Sequence, residues 1–395
     1  MTDTHRLPLP EKRRVCLGYL RLTDSAPLII ASELGYYQKY GLDVALQREV
    51  SWANVRDKLV TGDLDAAQML APLPLATSMG LGGMRADVIT GLALSLNGNA
   101  ITVSQSLAAG IAAQGGDPAF SAASTAAGLG RWLRERGGTS PLTFASAHSF
   151  SCHTFLLRLW LQAGGLDPER DARIIVLPPE QMVDSLSRGV IDGYCVGEPW
   201  NSVAVQHGIG VVQASGYQIW NNGIEKVLGV TALWHQTHPG THLRLRLALM
   251  EACRWLADTD NRQEAVRLLA LPDYLDMPVA VLQPSLAGRL VYSKGREPVD
   301  VPHFHVFGRF QASFPWRSHG EWLLRRSGEL LGKRLSQDQV KSLVQQTYRT
   351  DLYREAARHL DLPCPTGDYK PENQHAQAWE MEPGLELGPD LRLCP

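Results

Sequence analysis

The sequence predicts an α/β fold of two lobes, each a mostly parallel sheet flanked by helices, with a C-terminal extension. Three observations predict it. Short apolar runs of strand character alternate with helix-spaced segments through the first half of the chain, the pattern of βαβ units. The connections are short and carry turn or capping residues. A shift to Ala, Gly and Ser at 104–128 interrupts the alternation once, as a crossing between lobes plus a small-residue helix would.

The elements follow in order. "VCLGYL" (15–20) is a strand; Thr23-Asp24-Ser25 is a turn with capping residues, and Pro27 suits a first helical turn. "LIIASELGYYQKYG" has helical spacing and stops at Gly41. "LDVALQREV" is a strand, "WANVRDKLVTGDLD" a helix ended by Gly62, and "ADVITGLALSL" a strand. Beyond the crossing, "PLTFASA", "ARIIVLPP" and "IDGYCVG" are strands separated by the helices "HTFLLRLWLQAGG" and "EQMVDSLSRG". "GIGVVQAS" is expected to return the chain to the first lobe, and 242–285 is helical with breaks at Pro272, Pro278 and Pro284. This gives lobe 1 as 14–103 with 211–300, lobe 2 as 104–210, and an extension 301–395 packing on lobe 1. The aromatic stretch 303–324 reads as lobe packing or as an interface, and the proline-rich tail from Pro363 as a surface wrap.

Composition narrows the function. Of 395 residues 44% are hydrophobic and 20% charged, and the formal net charge is -2, so no basic field points to direct nucleic-acid binding. The N-terminal "MTDTHRLPLPEKRR" has no apolar core of the roughly 7–15 residues that an export signal needs, so a cytoplasmic location is expected. No window of about 18 or more apolar residues predicts a membrane span. The six cysteines have no C-x-x-C spacing, which predicts reduced thiols and no metal. P-loop, G-x-S-x-G, G-x-G-x-x-G and H-E-x-x-H patterns are missing, so neither an enzyme nor a cofactor is expected.

Several residues sit where a two-lobed protein places its cleft. Trp52 opens a helix after the second strand and could form an aromatic wall with an N–H donor, or a core anchor. Gly98 and Asn99 follow a strand end; Asn-Gly is a turn dipeptide, and the Asn99 amide is a potential donor. His153 lies near a helix start, where unpaired N–H groups favour an anion. Glu198 and Pro199, in "GEPWN", shape a loop whose backbone lines the cleft. Lys226 precedes an apolar strand and is either a surface charge or a cleft cation.

Taken together, "LTDSAPLIIASELGYYQKYGLDV" (22–44), "SWANVRDKLVTGDLDAAQMLAPLPLAT" (51–77), "LNGNAITVS" (96–104), "AGGLDPERD" (163–171), "GEPWN", "QIW…EKVLGV" and "FPWRSHGEWLL" (314–324) resemble the nitrate/bicarbonate branch of the ABC-transporter solute-binding proteins. The likeness covers nearly the whole chain. It implies a periplasmic-binding-protein-like fold of type II, with Trp52, Asn99, His153 and Lys226 holding the anion. The family's amide position typically carries Gln, and Asn99 departs from that. Lys226 at the charge-selecting position implies nitrate or nitrite, whereas bicarbonate, with its hydroxyl, profits from a carboxylate acceptor.

Lacking an export signal, the chain resembles the NasS-type cytoplasmic nitrate/nitrite sensors. That resemblance implies an RNA-binding antiterminator partner of the ANTAR type (NasT-like), held until the anion binds, and control of nitrate-assimilation genes. A second reading is a nitrate or bicarbonate solute-binding component or regulatory module of an ABC transporter. A third is an enzyme resembling the thiamine-pyrimidine synthases, for which "SCHTF" is thin support. A purely electrostatic Lys226 predicts that Lys226→Ala removes binding and leaves the fold intact.

Overall fold

The computed structural model describes residues 7–118, 121–137 and 141–394. Residues 119–120 of the small-residue stretch and the first six of the N-terminal segment lie outside the described residues.

The first lobe opens with β1 (Arg14–Leu20), α1 (Ala26–Glu33), α2 (Tyr36–Lys39), β2 (Asp43–Glu49), α3 (Trp52–Thr61), β3 (Ala66–Leu70), α4 (Leu73–Ser78) and β4 (Val88–Asn97). The expected single helix up to Gly41 divides at Gly35, whose φ of 70° turns the backbone left-handed. The second lobe holds β5 (Asn99–Ser104), α5 (Gln105–Ala113), α6 (Ala122–Glu135), β6 (Leu142–Ser146), α7 (Cys152–Ala163), β7 (Ala172–Val176), α8 (Met182–Ser187), β8 (Gly193–Gly197), α9 (Trp200–Gln206) and β9 (Gly210–Ser215). The chain returns through α10 (Gly216–Ile219), β10 (Ile224–Thr231), α11 (Ala232–Thr237), α12 (Pro239–Ala257), α13 (Arg262–Leu269) and α14 (Val279–Leu286). Pro284 does not break α14 but sits within it.

The first sheet has the order β13-β4-β10-β3-β1-β2 and the second β7-β6-β8-β5-β9, where β13 is His305–Val306 and follows the short pair β11 (Arg289–Leu290) and β12 (Val299–Asp300). Each sheet is mostly parallel, with one antiparallel strand, β10 or β5, inserted where the chain crosses between lobes. In the first sheet β13 also runs antiparallel, along β4.

Pairing moves both crossings from where the sequence puts them. β5 pairs with β8 and β9, so 99–104 and 210–215 belong to the second lobe. "GIGVVQAS" does not return the chain; the return comes at α10. The first crossing is a sharp one: Asn97 and Gly98 have φ of 59° and 90°, and a Cβ on Gly98 would run into the His305 ring.

The central strands of the first sheet, β3, β4 and β10, are buried on both faces, and the alternation of side chains divides them between two cores. Leu92, Leu94 and Leu228 pack with Ile29 of α1 and Leu247 of α12, whereas Ala93, Val227 and Met69 pack with Trp52 and Val55 of α3.

The extension adds β13 to the first sheet and then α15 (Arg317–Leu330), α16 (Gln337–Thr347) and α17 (Thr350–His359) against α4, β4 and α12. It also reaches past lobe 1. Trp322 meets Phe155 of α7 edge-on at 5.9 Å and lies 4.3 Å from Trp220 of the crossing. The tail pairs with the crossing as well: Leu393 N donates to Ile219 O and Asn221 N to Leu391 O, both at 2.8 Å. Phe304, Phe307, Phe314 and Trp316 are buried, so these aromatics of 303–324 pack internally. The tail also buries Leu385 and Leu387, beyond a plain surface wrap. Among the described residues no helix is long and apolar enough to cross a membrane, and no cluster could hold a metal.

Candidate functional site

Strand ends and helix starts from both lobes meet over β10. Ser51 caps α3 by accepting from Asn54 N, which fixes Trp52 at the first helical position, facing inward. Ser151 caps α7 in the same way and sets His153 in its first turn. Asn99 opens β5, opposite Gly197. Lys226 is not a surface charge: it lies in β10, fully buried, between Leu70 and Ser95.

Three of these, Asn99, His153 and Lys226, converge on a carboxylate, that of Glu225, and Trp52 stands beside them against Lys226. Asn99 Nδ2 donates to Glu225 Oε2 at 2.7 Å, and Lys226 Nζ donates to Oε1 at 2.7 Å. His153 Nε2 lies 2.9 Å from the same Oε1. Lys226 Nζ also lies 2.7 Å from Asp24 Oδ2 and 5.3 Å from the centre of the Trp52 ring, within cation–π range. Gln68 Nε2 donates to Asp24 Oδ1 at 2.8 Å. Trp52 Nε1, His153 Nδ1 and Asn99 Oδ1 are buried and find no hydrogen-bond partner among the described residues.

Sequence reasoning anticipated donors and missed the two carboxylates. Asp24 reads as a turn residue, yet its side chain is buried in the site. Glu225 and Lys226 are sequence neighbours, and in a regular strand they would face opposite sides. The pairing of β10 with β4 is irregular on either side of Lys226, and the two side chains meet there. An acidic–basic pair inside an apolar strand was the available signal.

The charges hold one another. Burial alone would raise the Glu225 carboxyl, but Lys226 and His153 outweigh it and hold the group down at about 2. Burial would lower Lys226, but Asp24 and Glu225 carry it above the usual lysine range. For Asp24 burial wins, and its carboxyl is raised despite Lys226.

Gly98, Glu198 and Pro199 sit beside this cluster at the junction of the lobes. Glu198 O accepts from Thr23 N at 2.7 Å and so ties the lobes through backbone, while Glu198 N donates to Gly98 O at 3.1 Å. The Glu198 side chain turns to α9, where Oε2 accepts from Ser202 N at 3.1 Å. Glu198–Pro199 is a cis peptide. Trp200 Nε1 donates to Arg21 O at 3.2 Å across the same junction.

Comparison with known proteins places this architecture. Residues 9–270 match the model of the NMT1-like family. The chain is 38% identical over 362 residues to the nitrate import ATP-binding protein NrtC of Synechocystis sp. PCC 6803, covering 91% of this chain and 52% of that protein. It is 35% identical to the bicarbonate transport ATP-binding protein CmpC of Synechococcus elongatus, covering 89% and 50%. It thus spans about half the length of these two relatives. It is 34% identical to the nitrate/nitrite binding protein NrtA of Synechococcus elongatus, covering 90% and 81%. The crystal structure of the periplasmic nitrate-binding protein NrtA from Synechocystis PCC 6803 superposes with a TM-score of 0.84 at 30% identity, over 92% of this chain and 94% of that one. The chain therefore belongs to the NMT1-like family, in the nitrate/bicarbonate branch of the ABC-transporter solute-binding proteins.

Proposed function

We propose that this protein is a nitrate- or nitrite-binding clamp serving a nitrate/bicarbonate ABC import system, as its solute-binding component or regulatory module. The observation that carries this reading is the convergence of Asn99, His153 and Lys226, beside Trp52, on one planar carboxylate. Nitrate and nitrite are small planar anions that only accept, and this donor set suits them. An anion held between the lobes binds the closed form better than the open one, and that difference shifts the population toward closure. The relatives named for nitrate import and nitrate/nitrite binding support the ligand. The half-length match to ATP-binding proteins supports a module acting beside, or joined to, such a machine on the cytoplasmic side.

A cytoplasmic sensor that holds an ANTAR-type antiterminator rests on the sequence resemblance alone. Its test is co-purification of the pair with and without nitrate.

Asp24 and Glu225 favour a second ligand, bicarbonate, because its hydroxyl can donate to a carboxylate as nitrate cannot. Tryptophan fluorescence during anion titration separates the two, since Trp52 lies against Lys226. Nitrate or nitrite should saturate the change at lower concentration than bicarbonate. The reverse order would replace the first ligand by the second.

A further inference from the structure

Asn99 and His153 stand on the second lobe; Trp52, Asp24, Glu225 and Lys226 stand on the first. Glu225 joins them. Its Oε2 takes the Asn99 amide and its Oε1 lies against both Lys226 Nζ and His153 Nε2, at 2.7, 2.7 and 2.9 Å. The residue is 1% exposed. Its charge persists at neutral pH, because Lys226 and His153 overcome the cost of its burial. A carboxylate is planar, carries one negative charge and accepts through oxygens on an sp² centre. Nitrate shares each of these properties.

We propose that Glu225 is an internal competitor for the anion: its carboxylate closes the lobes through the donors that an external oxoanion must take. The proposal rests on the anion-binding reading above and adds what sets the affinity. An incoming anion gains only the difference between its own contacts and those Glu225 already makes. The clamp therefore responds at a higher anion concentration than its donors alone would give. Exchange occurs with the lobes apart, when Asn99 and His153 withdraw with the second lobe and Glu225 meets water on the cleft floor. Asp24 stays on Lys226 throughout and keeps the cation from being left bare.

The test uses the full chain as wild type, Glu225→Gln and Glu225→Ala, each checked for folding by circular dichroism. Nitrate is titrated into all three, and formate, a free one-carbon carboxylate, into wild type and Glu225→Ala. Glu225→Gln keeps the side chain's shape and removes its charge, and is expected to bind nitrate about tenfold tighter than wild type or better. Glu225→Ala is expected to bind formate in competition with nitrate, and wild type to bind it about tenfold more weakly than that variant or worse. If wild type binds nitrate while both folded variants bind it equally or more weakly, internal competition is overturned and the anion site stands. If none of the three folded proteins binds nitrate, the proposal falls together with the nitrate-binding reading.

Discussion

Replacing Lys226 by Met removes the cation from between two buried carboxylates. Lys226 Nζ lies 2.7 Å from both Asp24 Oδ2 and Glu225 Oε1, with all three side chains at most 1% exposed. At an effective dielectric of about 20, each contact is worth about 6 kcal/mol of attraction. Taking three ions out of water costs several kcal/mol each and offsets most of that gain. What the substitution exposes is the asymmetry: the carboxylates stay buried and lose their counter-ion, for a cost of about 3–5 kcal/mol. That is a large part of a typical folding stability of about 5–15 kcal/mol. Lys226→Ala is therefore predicted to cost stability as well as binding, because the side chain neutralises the core as well as facing a ligand. The pH dependence follows. In the wild type the folded Glu225 carboxyl is held at about 2, below its ordinary value of 4.5, so its contribution is present above 4.5 and lost as pH falls through 2. Without Lys226 burial dominates, the folded values rise, and stability is lost as pH increases. Urea unfolding followed by circular dichroism at about pH 5 and pH 8 should show the variant's deficit shrinking at the lower pH. A variant within about 1 kcal/mol of wild type at pH 8 would refute the reasoning, as would a deficit that is the same at both values.

Glu198 should make the wild type lose stability as pH rises from about 4.5 to about 7. Its burial raises the carboxyl to about 7 from 4.5, so the contribution is full below 4.5 and lost as pH passes 7, a change of about 3 kcal/mol. Glu198→Gln should flatten that profile in urea titrations. Gly216→Ala should weaken anion binding, because a Cβ there would run into Asn99 Oδ1 and push the amide off Glu225; calorimetry reads the lost affinity. Trp322→Ala should cost about 2–3 kcal/mol, since the half-buried ring packs on Trp220 and Phe155 where the extension joins the lobes. Denaturation with an unchanged midpoint would remove that joining role.

Strand and helix positions were legible because a strand buried on both faces must carry a short apolar run and a packed helix an apolar period. "ADVITGLALSL" and "IDGYCVG" became β4 and β8 on that signal. Which sheet a strand enters is set by non-local pairing, so β5 and β9 could not be assigned from their own residues. Trp52, Asn99, His153 and Lys226 were legible because each marks a strand end, a helix start or a charge in an apolar run. Asp24 and Glu225 were not, since a turn residue and a strand neighbour become partners of Lys226 only through tertiary burial and the irregular pairing of β10. The reach of the extension to α7 and the crossing depends on Trp322 and the last few residues, whose partners lie far away in sequence.

Calorimetric titration of the folded protein with nitrate, nitrite, bicarbonate and chloride tests the central claim most directly. A saturable heat with nitrate or nitrite, and none with chloride, is the expected result. A folded protein that gives no heat with nitrate, nitrite or bicarbonate would contradict it and leave the Glu225 cluster as a tie between lobes with no ligand to admit.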